Sequence, residues 1–298
     1  MNFIRRYSHF LWLMLIVLLA AGLRFYKLDS LPPGLWFDEA WSAVAARDSA
    51  AAGTYPLYYA ASFGGMHPAI VYLARLGNLF SGGHPLTIRY ALAAVGTLTV
   101  ALSYFAYRAI WRLDEENGTL ISRMNTDKNR ENRRSSAFIC VPQNNALFAA
   151  FVLAIMFPYL LFTRMGFESS LVTPASLLVF WALAVALQRG RWGYFVLTGA
   201  LLGASLYVFD TARFLPFAVS AAYWLIVFTR SDFDKQKPLS LRYALFHFGL
   251  MGLTAVFIFA PLALYFLQEW AQFTARAGIV TANTLGADNV PLALWRNA

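Results

Sequence analysis

Charge-free apolar stretches separated by polar ones set the pattern of this chain. A helix needs roughly 17–25 apolar residues to cross a bilayer. Seven runs of about that length stand out, at 10–25, 88–111, 146–163, 169–187, 193–209, 214–229 and 243–267. Backbone groups find no partner in hydrocarbon, so such runs are predicted as helices rather than open strands. Two of the polar segments are long. The one at 112–145 is mixed in charge and lacks apolar periodicity, which predicts a solvated linker. The one at 26–87 is rich in aromatics, glycine and proline and poor in charge. A loop of that length without structure of its own is unusual, and two short helices at the membrane surface are predicted within it, at 39–52 and 68–80. Arg5 and Arg6 ahead of a stretch ending Ala20-Ala21-Gly22 look like a cleavable leader. Six further runs, and apolar continuation to Phe25, favour a retained first span. The last segment runs out to Ala298 without a capping structure and reads as part of a longer protein.

Composition sharpens this picture. The 298 residues are 59% hydrophobic and 13% charged, with a mean hydropathy of +0.52. An ordinary soluble domain carries about a quarter charged residues. Such a chain cannot cover its surface with polar groups, which excludes a soluble enzyme, a disordered tail and a nucleic-acid module. The single cysteine, Cys140, excludes a disulfide framework and a cysteine-ligated zinc site. The net charge of +9 finds its explanation in topology. With a cytoplasmic N-terminus, the inner segments (1–9, 112–145, 188–192 and 230–242) hold 14 Lys and Arg in about 61 residues. The outer segments (26–87, 164–169, 210–213 and 268–298) hold 7 in about 103. That bias follows the positive-inside rule, and the basic excess is no nucleic-acid footprint. The Asn117-Gly118-Thr119 sequon falls on the inner side.

Ionisable groups against a membrane are expensive and point to function. On the outer side they are Asp38, Glu39, His67, Arg164, Glu168, Asp210 and Arg213, all on loops that one site could gather. Asp38 follows a Pro32-Pro33-Gly34 turn where a helix begins. It reads either as an N-cap or as a carboxylate aimed into a cavity as general base. Arg164 and Glu168 have the spacing of a local ion pair. Arg213 reads equally as a snorkelling anchor, and His67 as a surface histidine. No H-E-x-x-H and no His pair at ligand spacing is present, and the glycine patterns of nucleotide sites are absent.

Several stretches, taken in order, resemble the multi-pass GT-C glycosyltransferases that use a lipid-phosphate-linked sugar. The similarity is to bacterial relatives of the protein O-mannosyltransferases and the lipid A aminoarabinose transferase. Arg24-Phe25-Tyr26 through Gly34-Leu35-Trp36-Phe37-Asp38-Glu39-Ala40 is similar to the end of the family's first helix and its acidic loop motif. Gly65-Met66-His67-Pro68-Ala69-Ile70-Val71-Tyr72 resembles a basic-Pro-Pro-Leu-Tyr element, with His67 where some relatives have lysine and Ala69 for the second proline. Thr163 to Glu168 resembles a second acidic element, and Tyr207 to Pro216 a further bacterial stretch. The resemblance implies a single all-α polytopic membrane bundle over 1–298, with 26–87 as an outer catalytic loop and 112–145 as a cytoplasmic linker. It implies Asp38 as the catalytic carboxylate, Glu39 as its companion, Glu168 as the second acidic residue and His67 near the carrier phosphate. The implied activity moves a sugar from a polyprenyl-phosphate donor to a hydroxyl of a lipid, glycan or protein acceptor, at the outer face of a bacterial plasma membrane. No cofactor and no metal enter this reading.

The chemistry of that transfer points the same way. A polyprenyl phosphate is stable as a leaving anion, so the reaction needs cations near the phosphate, and Arg164 and Arg213, with Asp210 beside the latter, lie on the predicted outer side. The acceptor hydroxyl needs a base, for which Asp38 is the candidate. A transporter is the competing reading, but its site would sit at mid-membrane on broken helices. A membrane scaffold would need no acidic clustering.

Overall fold

The computed structural model describes residues 2–60, 65–126, 141–233 and 241–274. Among them the elements are all helical, apart from one antiparallel bridge between Tyr59 and Met66. The helices are α1 (Asn2–Phe25), α2 (Phe37–Ala51), α3 (Pro68–Ser81), α4 (Thr87–Thr126), α5 (Val141–Ile155), α6 (Phe157–Arg164), α7 (Val172–Arg189), α8 (Trp192–Ser205), α9 (Leu215–Phe233) and α10 (Leu241–Gln268). Short 3-10 turns, Glu168–Leu171 and Asp210–Phe214, precede α7 and α9. Five helices are long and apolar enough to cross a membrane, or six if the bent α5–α6 pair is one span. Large apolar side chains stand exposed along them, as Leu245, Phe246, Leu253, Phe257, Leu264 and Leu267 do on α10. Soluble monomers do not present such continuous apolar faces, and lipid is the solvent that suits them.

Three of the expected elements differ from the sequence reading. The run at 146–163 is not one straight helix but bends by 53° between α5 and α6. Pro158 is the cause: it has no N–H to give the carbonyl four residues back. That carbonyl belongs to Ala154, and Arg24, wholly buried, donates to it instead at 3.2 Å. The run at 193–209 yields only the 14 residues of α8. At 1.5 Å per residue that is about 21 Å, short of the roughly 30 Å hydrocarbon core. Its security comes from α10. A Cβ at Gly199 or Gly203 would collide with the carbonyl of Met251 or Ala255, so this small-xxx-small stripe lets two backbones approach closely. Lastly, residues 112–126 are not linker but the continuation of α4. Leu, Glu and Arg in this stretch are good helix formers, and extending a helix requires no new nucleus. Of the rest of the predicted linker, 141–145 begins α5 and 127–140 lies outside the described residues, as does the predicted outer segment beyond 274.

The two helices predicted in the 26–87 loop are present as α2 and α3. They dock on a core of Ala46, Met66, Ile70, Val71, Ala74, Ile88, Leu92 and Leu171. That core joins them to the start of α4 and to the turn before α7, so the loop is a packed part of the fold and can hold side chains in place.

Candidate active site

One end of the bundle carries the ionisable residues singled out in the sequence, and it arranges them in two clusters. The first is built on the start of α2. Trp36 takes the N-cap position, so Asp38 lies in the first turn and is not the cap. Glu39 closes that turn by accepting the Trp36 N–H at 3.0 Å, half of a capping box. Glu39 is fully buried, and its second and larger partner is Arg89. Arg89 Nε donates to Oε1 at 3.0 Å and Nη2 to Oε2 at 2.8 Å, a bidentate fork. The same guanidinium donates to the carbonyls of Pro32, at 2.8 Å, and Gly34. Arg89 thereby ties the Pro-Pro-Gly turn to α2 and α4. Gly166, at φ +69, packs on Glu39, and a Cβ there would come within 2.9 Å of Glu39 Cγ.

Arg89, at the N-terminal end of the apolar run at 88–111, is absent from the residues singled out in the sequence. One signal could have found it. A lone arginine just inside an apolar run needs a partner, and Glu39 is an acid that a helix start alone does not require. With Glu39 committed, Asp38 is the other carboxylate of the pair. It is partly exposed, and its side chain makes no hydrogen bond or ion pair with a described residue, while its carbonyl accepts from Ser42 at 2.7 Å.

Arg164 does not form the expected local ion pair with Glu168. Its Nη1 donates to the carbonyls of Leu23 (2.6 Å) and Arg24 (3.1 Å), and its Nη2 to those of Tyr26 and Leu31 (both 2.9 Å). These are orphan acceptors at and beyond the C-terminus of α1, where a cation is favoured. Arg164 therefore fastens the end of the first helix to the loop that follows. Glu168 is buried in the turn before α7.

The second cluster joins residues far apart in sequence. His67, at the N-cap of α3 and buried, has Nε2 3.6 Å from Asp210 Oδ1. Asp210 also holds Arg213, Nη2 to Oδ1 at 2.6 Å. Arg213 Nη1 donates to the Phe273 carbonyl at 3.2 Å, and its guanidinium lies 4.1 Å from the Phe273 ring centroid. The Tyr58 ring meets the His67 imidazole edge-on at 5.4 Å. Tyr207 fixes this cluster to α10. Its hydroxyl donates to Ile258 O at 2.9 Å and accepts from Leu262 N at 3.4 Å, where Pro261 opens the helix ladder. Among the described residues, Arg213 is the one charged residue lining an apolar cavity of about 410 Å³ between α8, α9 and α10, which includes Pro216, Phe217, Met251 and Phe259. Among the described residues no group of three or more His, Cys, Asp or Glu is arranged to hold a metal ion.

The fold and these clusters define a polytopic membrane helix bundle that gathers acids and cations at one end of a lipid-exposed body. Residues 137–265 match the family model described as dolichyl-phosphate-mannose-protein mannosyltransferase. Over that stretch the chain is similar to membrane glycosyltransferases of the GT-C type, as its sequence resemblance implied. The match contains Arg164, Glu168, Asp210 and Arg213, while Asp38, Glu39, His67 and Arg89 lie N-terminal to it. No curated protein matches the chain.

Proposed function

We propose that this protein transfers a sugar from a polyprenyl-phosphate donor to an acceptor hydroxyl at the outer face of a bacterial plasma membrane. The observation that carries the proposal is the apolar cavity headed by Arg213. A chain of isoprenes fits such a lining, and a phosphodiester suits the single cation at its head. Asp210 orients that guanidinium and, through His67 and Tyr58, connects it to the loop bearing Asp38. In the reaction, Asp38 takes the proton of the acceptor hydroxyl, the oxygen forms its bond to the anomeric carbon, and the bond from that carbon to the phosphate oxygen breaks. Polyprenyl phosphate departs as an anion beside Arg213. Glu39 and Arg89 hold the Asp38 turn, and Arg164 holds the end of α1 rather than the phosphate. Glu168 serves as a buried second acid in the turn before α7.

Replacing Arg213 with Gln should weaken binding of a polyprenyl-phosphate sugar by about 1.5–3 kcal/mol, the range for hydrogen bonds to charged groups. Lys should rescue only partly, because a point charge lacks the planar fork. The measurement is a binding isotherm in nanodiscs, with a free sugar as control. Donor binding equal to wild type in the Gln variant removes Arg213 from the donor site.

Orientation has its own test. In a Cys140→Ser background, Asp29→Cys should react with an impermeant maleimide only from outside sealed vesicles, and Arg191→Cys only from inside. The reverse pattern would invert the topology and put the site on the cytoplasmic face.

A further inference from the structure

A second cavity, of about 450 Å³, opens between α2 and the segment 54–60. Its lining differs in kind from the one headed by Arg213. Trp41, Asp48, Ser49, Tyr58 and Tyr59 face it, and among the described residues no basic one does. Along α2, positions 38, 41, 45 and 48 recur at helical spacing, so the cavity lies on the stripe that begins at Asp38. From Asp38 to Trp41 the rise is about 4.5 Å, and to Asp48 about 15 Å. Phe37 and Trp41 stack at 6.2 Å with 29° between their planes, extending an aromatic surface from beside Asp38 to the cavity.

The far wall is pinned in place. Tyr72 donates to the Pro56 carbonyl at 2.6 Å, and Arg75 to the Thr54 carbonyl at 2.7 Å. Burial, with Tyr59 alongside, pushes the Tyr72 phenol up to about 12, so it remains a donor throughout the physiological range.

We propose that this cavity is the acceptor subsite and that it takes a saccharide, so that the hydroxyl delivered to Asp38 belongs to a sugar. The assignment rests on the glycosyl-transfer reading above. An exposed indole offers a face to the C–H side of a pyranose, and a carboxylate with serine and tyrosine hydroxyls offers partners for vicinal hydroxyls. Asp48, with no cation facing the cavity, disfavours phosphate-bearing ligands and anionic lipid headgroups. Its exposed pairing with Arg47, at 3.0 Å, is of the kind that contributes little.

Saturation-transfer NMR on the full chain in nanodiscs tests this with mannotriose, maltotriose and chitotriose as probes. At least one trisaccharide should bind. Trp41→Ala should lower its affinity at least tenfold, Trp41→Phe should retain part of it, and Trp192→Ala, an exposed tryptophan away from the cavity, should leave it unchanged. Circular dichroism checks that each variant keeps its helix content. Binding by none of the three, or binding indifferent to Trp41→Ala, overturns the assignment. So does displacement of the sugar by a Ser/Thr-rich hexapeptide in wild type but not in Trp41→Ala, which would make the cavity a peptide site. Trisaccharide binding that depends on Trp41, without sugar transfer from any polyprenyl-phosphate donor, would sink the transferase reading and leave the saccharide site standing.

Discussion

Asp38→Asn is expected to lower turnover by about 10²- to 10⁴-fold, the usual contribution of a positioned general base. The amide keeps the shape of the carboxylate and its place in the first turn of α2 but cannot take a proton. The carboxylate makes no hydrogen bond or ion pair with another described residue, so its replacement should leave the fold intact. Arg89, the buried cation of this loop, is already paired with Glu39, so neutralising Asp38 strands no charge. A steady-state assay of the enzyme containing this chain, beside a thermal unfolding scan, separates the outcomes. An unchanged melting curve with turnover down at least a hundredfold is the expected result. Lower stability with undiminished specific activity would make Asp38 a helix-terminus residue and nothing more.

Glu39→Ala should behave in the opposite way. It leaves the Arg89 guanidinium, 2% exposed, without its carboxylate. Removing one partner of a buried pair costs about 3–5 kcal/mol, because the remaining charge stays buried and uncompensated. It also removes the acceptor for the Trp36 N–H. The same arginine carries the carbonyls of Pro32 and Gly34, so the loss should spread to the turn and lower activity indirectly. Glu39→Gln keeps an acceptor and should fall between the two. Fluorescence-monitored unfolding in detergent reads the stability. If Glu39→Ala melts with wild type yet loses turnover as steeply as Asp38→Asn, then Glu39 takes part in the chemistry and is not its frame.

The adjacent acids thus differ in their partners, and beyond the capping contact of Glu39 little local to the pair distinguishes them. Both sit in the first turn of α2, where the helix dipole favours either charge. What separates them is the direction each side chain takes from the helix and the presence of Arg89 on another element, 50 residues away. Arg164 shows the same limit. Its four-residue spacing to Glu168 suggested a local pair, yet four carbonyls at the end of α1 claim it, about 140 residues distant in sequence. Carbonyls at and beyond a helix end lack intrahelical donors, and together these four satisfy the guanidinium, while Glu168 is buried in the turn before α7.

The sequence by itself determined the membrane character, the helical class, the two helices of the 26–87 loop and most of the ionisable residues that gather in the two clusters. Those features follow from composition and period, because a bilayer accepts only long apolar helices and penalises every stray charge. Only the tertiary structure decided which groups meet. It joined His67 to Asp210 and Arg213, gave Glu39 to Arg89, and let Tyr207 fill the ladder beside Pro261. It also shortened one predicted span to α8, whose Gly199 and Gly203 lie close against the backbone of α10. Pairing of this kind depends on distances between helices, and helical period carries no information about which face will find which partner.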